Sequence, residues 1–236
     1  MENKEGGIFL TLDIKKNLAD IKNQIKDSAS KVGRSFEDIE IIAVTKGVDV
    51  DVIEEAINND INNIAENKVQ ELIKKYELIG NKVKWHMIGH LQRNKVKYII
   101  DKVELIHSLD SYRLAVEIDK RAKEHNKIMP CLLQINVSEE ESKYGISPNE
   151  VMDILKKIDK LDNIRIDGLM TMAPYTDVIE KTRKYFKKLK EISLSINTQD
   201  FSSVKMKYLS MGMSNDFTVA IEEGANLVRI GSKIFK

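Results

Sequence analysis

Apolar residues recur along this chain in two alternating rhythms. Ile14, Leu18, Ile21, Ile25 and Ala29 fall at helical spacing, which predicts an amphipathic helix over about 9–32. From about residue 40, short continuous apolar runs take over and predict strands at 40–45, 61–65, 83–88, 103–108, 131–137, 164–170, 206–210 and 227–230. Helical patterns fill the intervals, at roughly 50–59, 67–79, 92–99, 111–126, 148–160, 177–196 and 215–223. Strands that are apolar throughout, rather than alternating, belong in a sheet covered on both faces. About eight strand–helix units in 236 residues predict an α/β fold. The leading architecture is a single-domain (β/α)8 TIM barrel over about 40–236, with an extra N-terminal helix. An open doubly wound sheet is the alternative. No Pro-, Gly- or Ser-rich linker divides the chain, so one domain spanning 1–236 is expected.

Composition narrows the function classes. With 42% hydrophobic and 32% charged residues, the chain suits a soluble protein with a sizeable core. Thirty-eight basic residues face 37 acidic ones, for a formal net charge of +1, so neither a nucleic-acid nor a membrane partner is expected. The single cysteine, Cys131, lies in an apolar stretch and reads as a core residue. The charged start, Met1-Glu2-Asn3-Lys4-Glu5, does not resemble a signal peptide, and a cytoplasmic location is expected.

Barrel enzymes place chemistry at the carboxyl ends of their strands. The first strand, Ile41-Ile42-Ala43-Val44-Thr45, delivers Lys46 there, followed by Gly47. A lysine held in a protected cleft would be a nucleophile toward aldehydes. Other polar residues collect at the same rim: Glu66-Asn67, His86 with Gly89 and His90, Ser108 to Ser111, Asn136, and Thr171. The seventh unit ends in Ser210-Met211-Gly212-Met213-Ser214-Asn215-Asp216 and the eighth in Arg229-Ile230-Gly231-Ser232. Small residues there let backbone N–H groups approach an anion, and these two loops are the usual phosphate cradle of the fold. Taken singly, each has a plainer reading: Ser214 as a helix cap, Arg229 as an ion-pair residue, His86 as a core histidine. Their convergence on one rim is what carries weight.

The chain resembles the pyridoxal phosphate homeostasis protein family, whose fold is like the barrel domain of alanine racemase. The resemblance runs from about Ile41 to Phe235. Its blocks include Ala43-Val44-Thr45-Lys46, Glu66-Asn67-Lys68-Val69-Gln70-Glu71, Trp85 to Lys95, Glu141-Ser142-Lys143-Tyr144-Gly145, Leu209 to Asp216, and Leu227-Val228-Arg229-Ile230-Gly231. It implies that Lys46 carries pyridoxal 5'-phosphate as a Schiff base. It further implies that Ser210, Ser214 and the amides near Gly212, Gly231 and Ser232 hold the phosphate. Arg229 is the implied partner of the pyridine nitrogen, and Asn67 and His86 are implied to line the ring. Ala65 departs from the family's usual glycine before Glu-Asn.

A permanent cation at the ring nitrogen only donates, which favours the neutral ring and weakens its ability to stabilise a carbanion. A racemase also needs a second base; in alanine racemase a tyrosine from an added domain supplies it, and no such domain is expected here. Tyr175 is the one tyrosine suspected near the rim. The leading expectation is a non-catalytic, monomeric carrier that regulates intracellular pyridoxal phosphate and delivers it to apo-enzymes. The alternatives are a weak amino-acid racemase and a Schiff-base aldolase acting on a phosphorylated substrate.

Overall fold

The computed structural model describes residues 13–140 and 143–236. Residues 9–12 of the expected first helix, and Glu141 and Ser142 of one family block, lie outside the described residues. The first helix, α1 (Ile14–Ser30), starts at Asp13, whose side chain accepts a hydrogen bond from the Lys16 amide. Its stripe Ile14, Leu18, Ile21, Ile25 and Ala29 is fully buried, as the spacing predicted.

Eight strands then alternate with helices: β1 (Glu40–Val44), α2 (Val50–Asn58), β2 (Asn63–Glu66), α3 (Val69–Ile79), β3 (Lys84–Met87), β4 (Leu105–Leu109), α4 (Tyr112–Glu124), β5 (Met129–Gln134), α5 (Val151–Ile158), β6 (Ile164–Met170), α6 (Arg183–Asn197), β7 (Val204–Met213), α7 (Phe217–Glu222), β8 (Leu227–Ile230) and α8 (Ser232–Phe235). The strands close into a parallel barrel in sequence order, with β1 pairing β8 through Ala43↔Ile230. This is the TIM barrel of the alanine racemase type that the strand–helix alternation predicted, and not the alternative open sheet. Successive side chains of each strand point to opposite faces, so two cores form. Ile42, Ala65, Leu105, Leu132, Met170 and Leu227 pack together inside the barrel. Ala43, Ile64, Ile106 and Leu133 face outward into the larger core beneath the helices.

The structure departs from the expected elements in three places. The segment expected as a helix at 92–99 is a short 3-10 helix, Arg93–Tyr98. Its apolar anchors are few: Val96, Ile99 and Ile100 are buried, and polar residues occupy the rest. Strand β5 ends at Gln134, which leaves Asn136 in the following loop. Strand β7 runs on to Met213, three residues beyond its expected end, so Ser210 and Gly212 belong to the strand and not to a loop.

Close backbone approach ties two strand ends together. A Cβ on Gly89 would lie 2.0 Å from the carbonyl oxygen of Asn67, far inside contact distance. Gly89→Ala is therefore expected to push the ends of β2 and β3 apart and to cost about 1–3 kcal/mol. Urea unfolding would show this as a lower midpoint at unchanged slope.

Candidate functional site

Lys46 follows directly on the buried end of β1. Beneath it, a compact polar cluster fixes the backbone. Lys75 Nζ donates to the Thr45 carbonyl at 2.7 Å and to Glu66 Oε1 at 2.6 Å, and Thr45 Oγ1 donates to the same carboxylate oxygen at 2.7 Å. Glu66 is fully buried and Lys75 nearly so. Breaking such a pair would strand a charge in the core, so the geometry is strongly held. The Lys46 side chain itself is exposed, not protected as the strand-end position suggested. It stands on the wall of a cavity of about 660 Å³ at the carboxyl end of the barrel.

Six of the nine expected site residues share that cavity wall: Lys46, Asn67, Ser214, Arg229, Gly231 and Ser232. Lys46 and the Gly231–Ser232 turn stand side by side, since β1 and β8 are neighbours; they are not opposite one another. A Cβ on Gly231 would sit 3.0 Å from the Val44 carbonyl oxygen, which shows how closely the two strand ends approach. The Ser214 hydroxyl accepts from the amides of Gly231 at 3.3 Å and Lys233 at 3.4 Å, pinning the β7–α7 loop to the start of α8.

The other three residues lie off the wall. Gly212 has φ +87°, and a Cβ there would come within 2.6 Å of the Ala220 Cβ, so this glycine serves the packing of α7 on β7. Ser210 and His86 point into the barrel, where the alternation of their strands sends them. There they join a hydrogen-bonded file that crosses the interior. Arg229, which can only donate, sets its direction. Its Nη1 donates to Ser210 Oγ at 2.7 Å, and its Nη2 to the Thr171 carbonyl at 2.8 Å. The Ser210 hydroxyl is then free to donate to His107 Nδ1 at 2.9 Å. His107 in turn donates from Nε2 to His86 Nδ1 at 2.9 Å, and His86 from Nε2 to Asn63 Oδ1 at 3.2 Å.

Each imidazole in this file accepts once and donates once, so both are neutral. A second proton on His86 would set two N–H groups against each other. Burial is the first cause that pushes the His86 pKa down to about 3, with nearby Lys84 adding to it. His107 lies well below its usual value through burial, His86 and Arg229. Burial lowers Arg229 to about 10 against the opposing charge of Asp216, leaving it protonated at neutral pH, and among the described residues no carboxylate lies within ion-pair distance.

Residues beyond the nine expected site residues also line the cavity. Asp216, whose carboxylate accepts from the Met213 amide at 2.6 Å, lines the wall, and burial raises its pKa. Gln134 donates to the Tyr144 carbonyl at 3.1 Å and holds the β5 loop over the site. His90 also lines the wall; its Nδ1 lies 2.8 Å from Asp110 Oδ2, and its ring stacks on Tyr144 at 4.1 Å. The strand-end rule put His90 and Asp110 on the rim, but their pairing across two loops has no sequence signature. Tyr175 borders the cavity at 83% exposure, its hydroxyl on Asp177.

Against known proteins, the model of the alanine racemase N-terminal domain family matches residues 17–236. The chain is 41% identical over 219 residues to the pyridoxal phosphate homeostasis protein of Aquifex aeolicus, covering 92% of this chain and 95% of that one. This chain belongs to the pyridoxal phosphate homeostasis protein family. A second member, from Vibrio alginolyticus, is 33% identical over 227 residues, covering 94% of this chain and 96% of that protein. Among solved structures, PipY of Synechococcus elongatus with pyridoxal phosphate bound superposes with a TM-score of 0.83 at 29% identity, covering 95% of this chain and all of that one. Alanine racemase of Clostridium difficile shares the barrel with a TM-score of 0.71 at 20% identity; this chain covers 55% of its length.

The neutral histidine file has a consequence for acid stability in this family member. An unfolded histidine takes up a proton below about pH 6.5, whereas His86 and His107 in the folded barrel do not. Stability is thus present above pH 6.5 and falls as pH drops from there toward about 3. Between pH 7 and 5 the two groups together account for a loss of up to about 4 kcal/mol. Urea denaturation at both pH values measures it; a flat profile over that interval would mean that these rings take up protons in the folded barrel as readily as in the unfolded chain.

Proposed function

We propose that this chain binds pyridoxal 5'-phosphate as a Schiff base on Lys46 and acts as a non-catalytic carrier and regulator of that cofactor inside the cell. The observation that carries this reading is the neighbourhood of three groups on one wall. An amine, Lys46, stands beside a turn of small residues, Ser214 and Gly231–Ser232, above the buried cation of Arg229. In pyridoxal phosphate the aldehyde and the phosphate arm leave adjacent ring carbons, and the ring nitrogen lies across from the aldehyde. Adjacent strand ends suit adjacent substituents.

The chain's own residues fit that group. The Ser214 hydroxyl accepts from two amides and keeps its own proton to donate to an anion. A guanidinium offers five N–H donors, and Arg229 uses two of them on Ser210 and Thr171. Bound pyridoxal phosphate would supply an aldehyde for the amine and an electron-withdrawing ring. Arg229 leaves that ring nitrogen unprotonated, since it donates a hydrogen bond but keeps its proton at neutral pH, and so limits the ring's electron demand. This favours holding the cofactor over turning substrates over. The names of the curated relatives and the ligand of PipY support the same reading. Apo-enzymes that need the cofactor are the proposed recipients, and the chain is proposed to act as a monomer.

Visible absorption before and after borohydride, followed by peptide mapping, tests the reading. The protein should show a visible band that borohydride bleaches, with the pyridoxyl mass on Lys46. Lys46→Ala should lose the band and keep weak binding of the phosphate end. Arg229→Gln should weaken affinity by about tenfold or more and shift the spectrum, because it removes a charge-assisted hydrogen bond. A protein that stays colourless with added pyridoxal phosphate would overturn the proposal in favour of the aldolase. Sustained racemisation of an amino acid would overturn the non-catalytic part alone.

A further inference from the structure

His90 is the one histidine on the cavity wall. His86 and His107 are locked in the barrel interior, and His125 caps the far end of α4. Two contacts from different loops fix the His90 ring. Asp110, at the end of β4, takes Nδ1 at 2.8 Å, and Tyr144, from the loop after β5, stacks on the ring face at 4.1 Å and 15°. The Asp110 side chain is largely buried, at 11% exposure, so its carboxylate is a firm anchor. An ionised carboxylate can only accept, so the proton of neutral His90 sits on Nδ1 and Nε2 carries the lone pair. Among the described residues, Nε2 has no hydrogen-bond partner. Gly89 presses against the Asn67 backbone, which brings this loop to the strand end next to that of Lys46. An oriented imidazole with a free basic nitrogen, backed by a carboxylate, is a proton-transfer device.

We infer that His90, oriented by Asp110 and Tyr144, is the general acid–base group for forming and breaking the C=N bond between Lys46 and an aldehyde ligand. This inference rests on the Schiff-base reading of Lys46. In loading, the Lys46 nitrogen bonds to the carbonyl carbon and gives up its protons. Nε2 relays one of the two amine protons to the carbonyl oxygen, giving a hydroxyl, and then the second to that hydroxyl, which leaves as water as the C=N bond forms. Release is the reverse: water adds to the same carbon, Nε2 passes its two protons in turn to the nitrogen, and the amine departs as the aldehyde re-forms. No oxidant or reductant takes part. The residue thus governs how fast the cofactor is taken up and surrendered, and leaves the affinity to Arg229 and the phosphate turn. For a carrier, exchange rate is the quantity that decides delivery.

A catalyst lowers the barrier in both directions equally, and this separates it from a binding contact. Stopped-flow absorbance of the full chain mixed with pyridoxal phosphate gives the loading rate. Chasing the loaded protein with excess apo-enzyme or a strong aldehyde trap gives the release rate. His90→Gln is expected to slow both by the same factor, about tenfold or more, with the dissociation constant unchanged within twofold. Asp110→Asn should slow both by a smaller common factor, and added imidazole should restore part of the rate in His90→Gln. Unchanged rates in a folded His90→Gln protein would overturn the inference, and so would a change confined to release with a matching loss of affinity. Failure of the wild-type protein to form any borohydride-fixed adduct would instead overturn the Schiff-base reading on which it rests.

Discussion

The arrangement of the site depends on one buried positive charge. Arg229 is 3% exposed, and among the described residues no carboxylate forms an ion pair with it. A guanidinium taken out of water in this way is costly unless its donors are met. The barrel meets them with neutral acceptors, the Ser210 hydroxyl and the Thr171 carbonyl. That choice propagates. Ser210, having accepted from a cation, donates onward; His107 and His86 follow with fixed tautomers, and Asn63 ends the file at the start of β2, toward the opposite end of the barrel. One chain of polar groups thus crosses the apolar interior in a direction that a single arginine dictates.

A second constraint works on the outer face of the barrel. The Lys75–Glu66 pair anchors the Thr45 carbonyl and hydroxyl, so the last peptide before Lys46 is fixed while the lysine side chain stays exposed. Glu66 Oε2 has no partner and is buried, an asymmetry that leaves the pair dependent on Lys75. Rigid support under an exposed amine suits a group that must reach a ligand and release it. The two networks flank β1 from different sides: one below Lys46 in the outer core, one through Arg229 on neighbouring β8 in the interior.

Much of this was legible in the sequence because it follows from periodicity and polarity. Continuous apolar runs marked strands buried on two faces, and unusual polar residues at their ends marked the rim that holds Lys46, Asn67, Arg229 and Ser232. The sense of each side chain was harder to read. His86 and Ser210 were assigned to the site from their strand-end position; both point into the barrel, as Arg229 does, but of the three only Arg229 reaches the cavity wall. The end of β7 was misread because Gly212, Ser210 and Ser214 resemble loop composition; the strand continues to Met213, and α7 packs so close on it that only glycine fits at 212. The 3-10 segment after β3 failed because Val96, Ile99 and Ile100 satisfy the helical pattern without giving enough apolar face for a longer helix. Contacts between loops far apart in sequence, such as His90 with Asp110 and Tyr144, have no local signal at all.

On the proposed reading, affinity and exchange are divided between different parts of the wall. Arg229 and the Ser214–Gly231 turn hold the ring and phosphate by contacts that do not change protonation at neutral pH, because Arg229 stays charged and its histidine neighbours stay neutral. The covalent link alone requires protons to move, and the groups that can move them, His90 and Lys46, stand in the more exposed part of the cavity. A binding protein that must also let go benefits from that separation. If the same group both anchored the ligand and moved its protons, a change that sped release would weaken retention. With the functions apart, the equilibrium can be tight while the exchange rate is set independently, and a mutation in one half need not disturb the other.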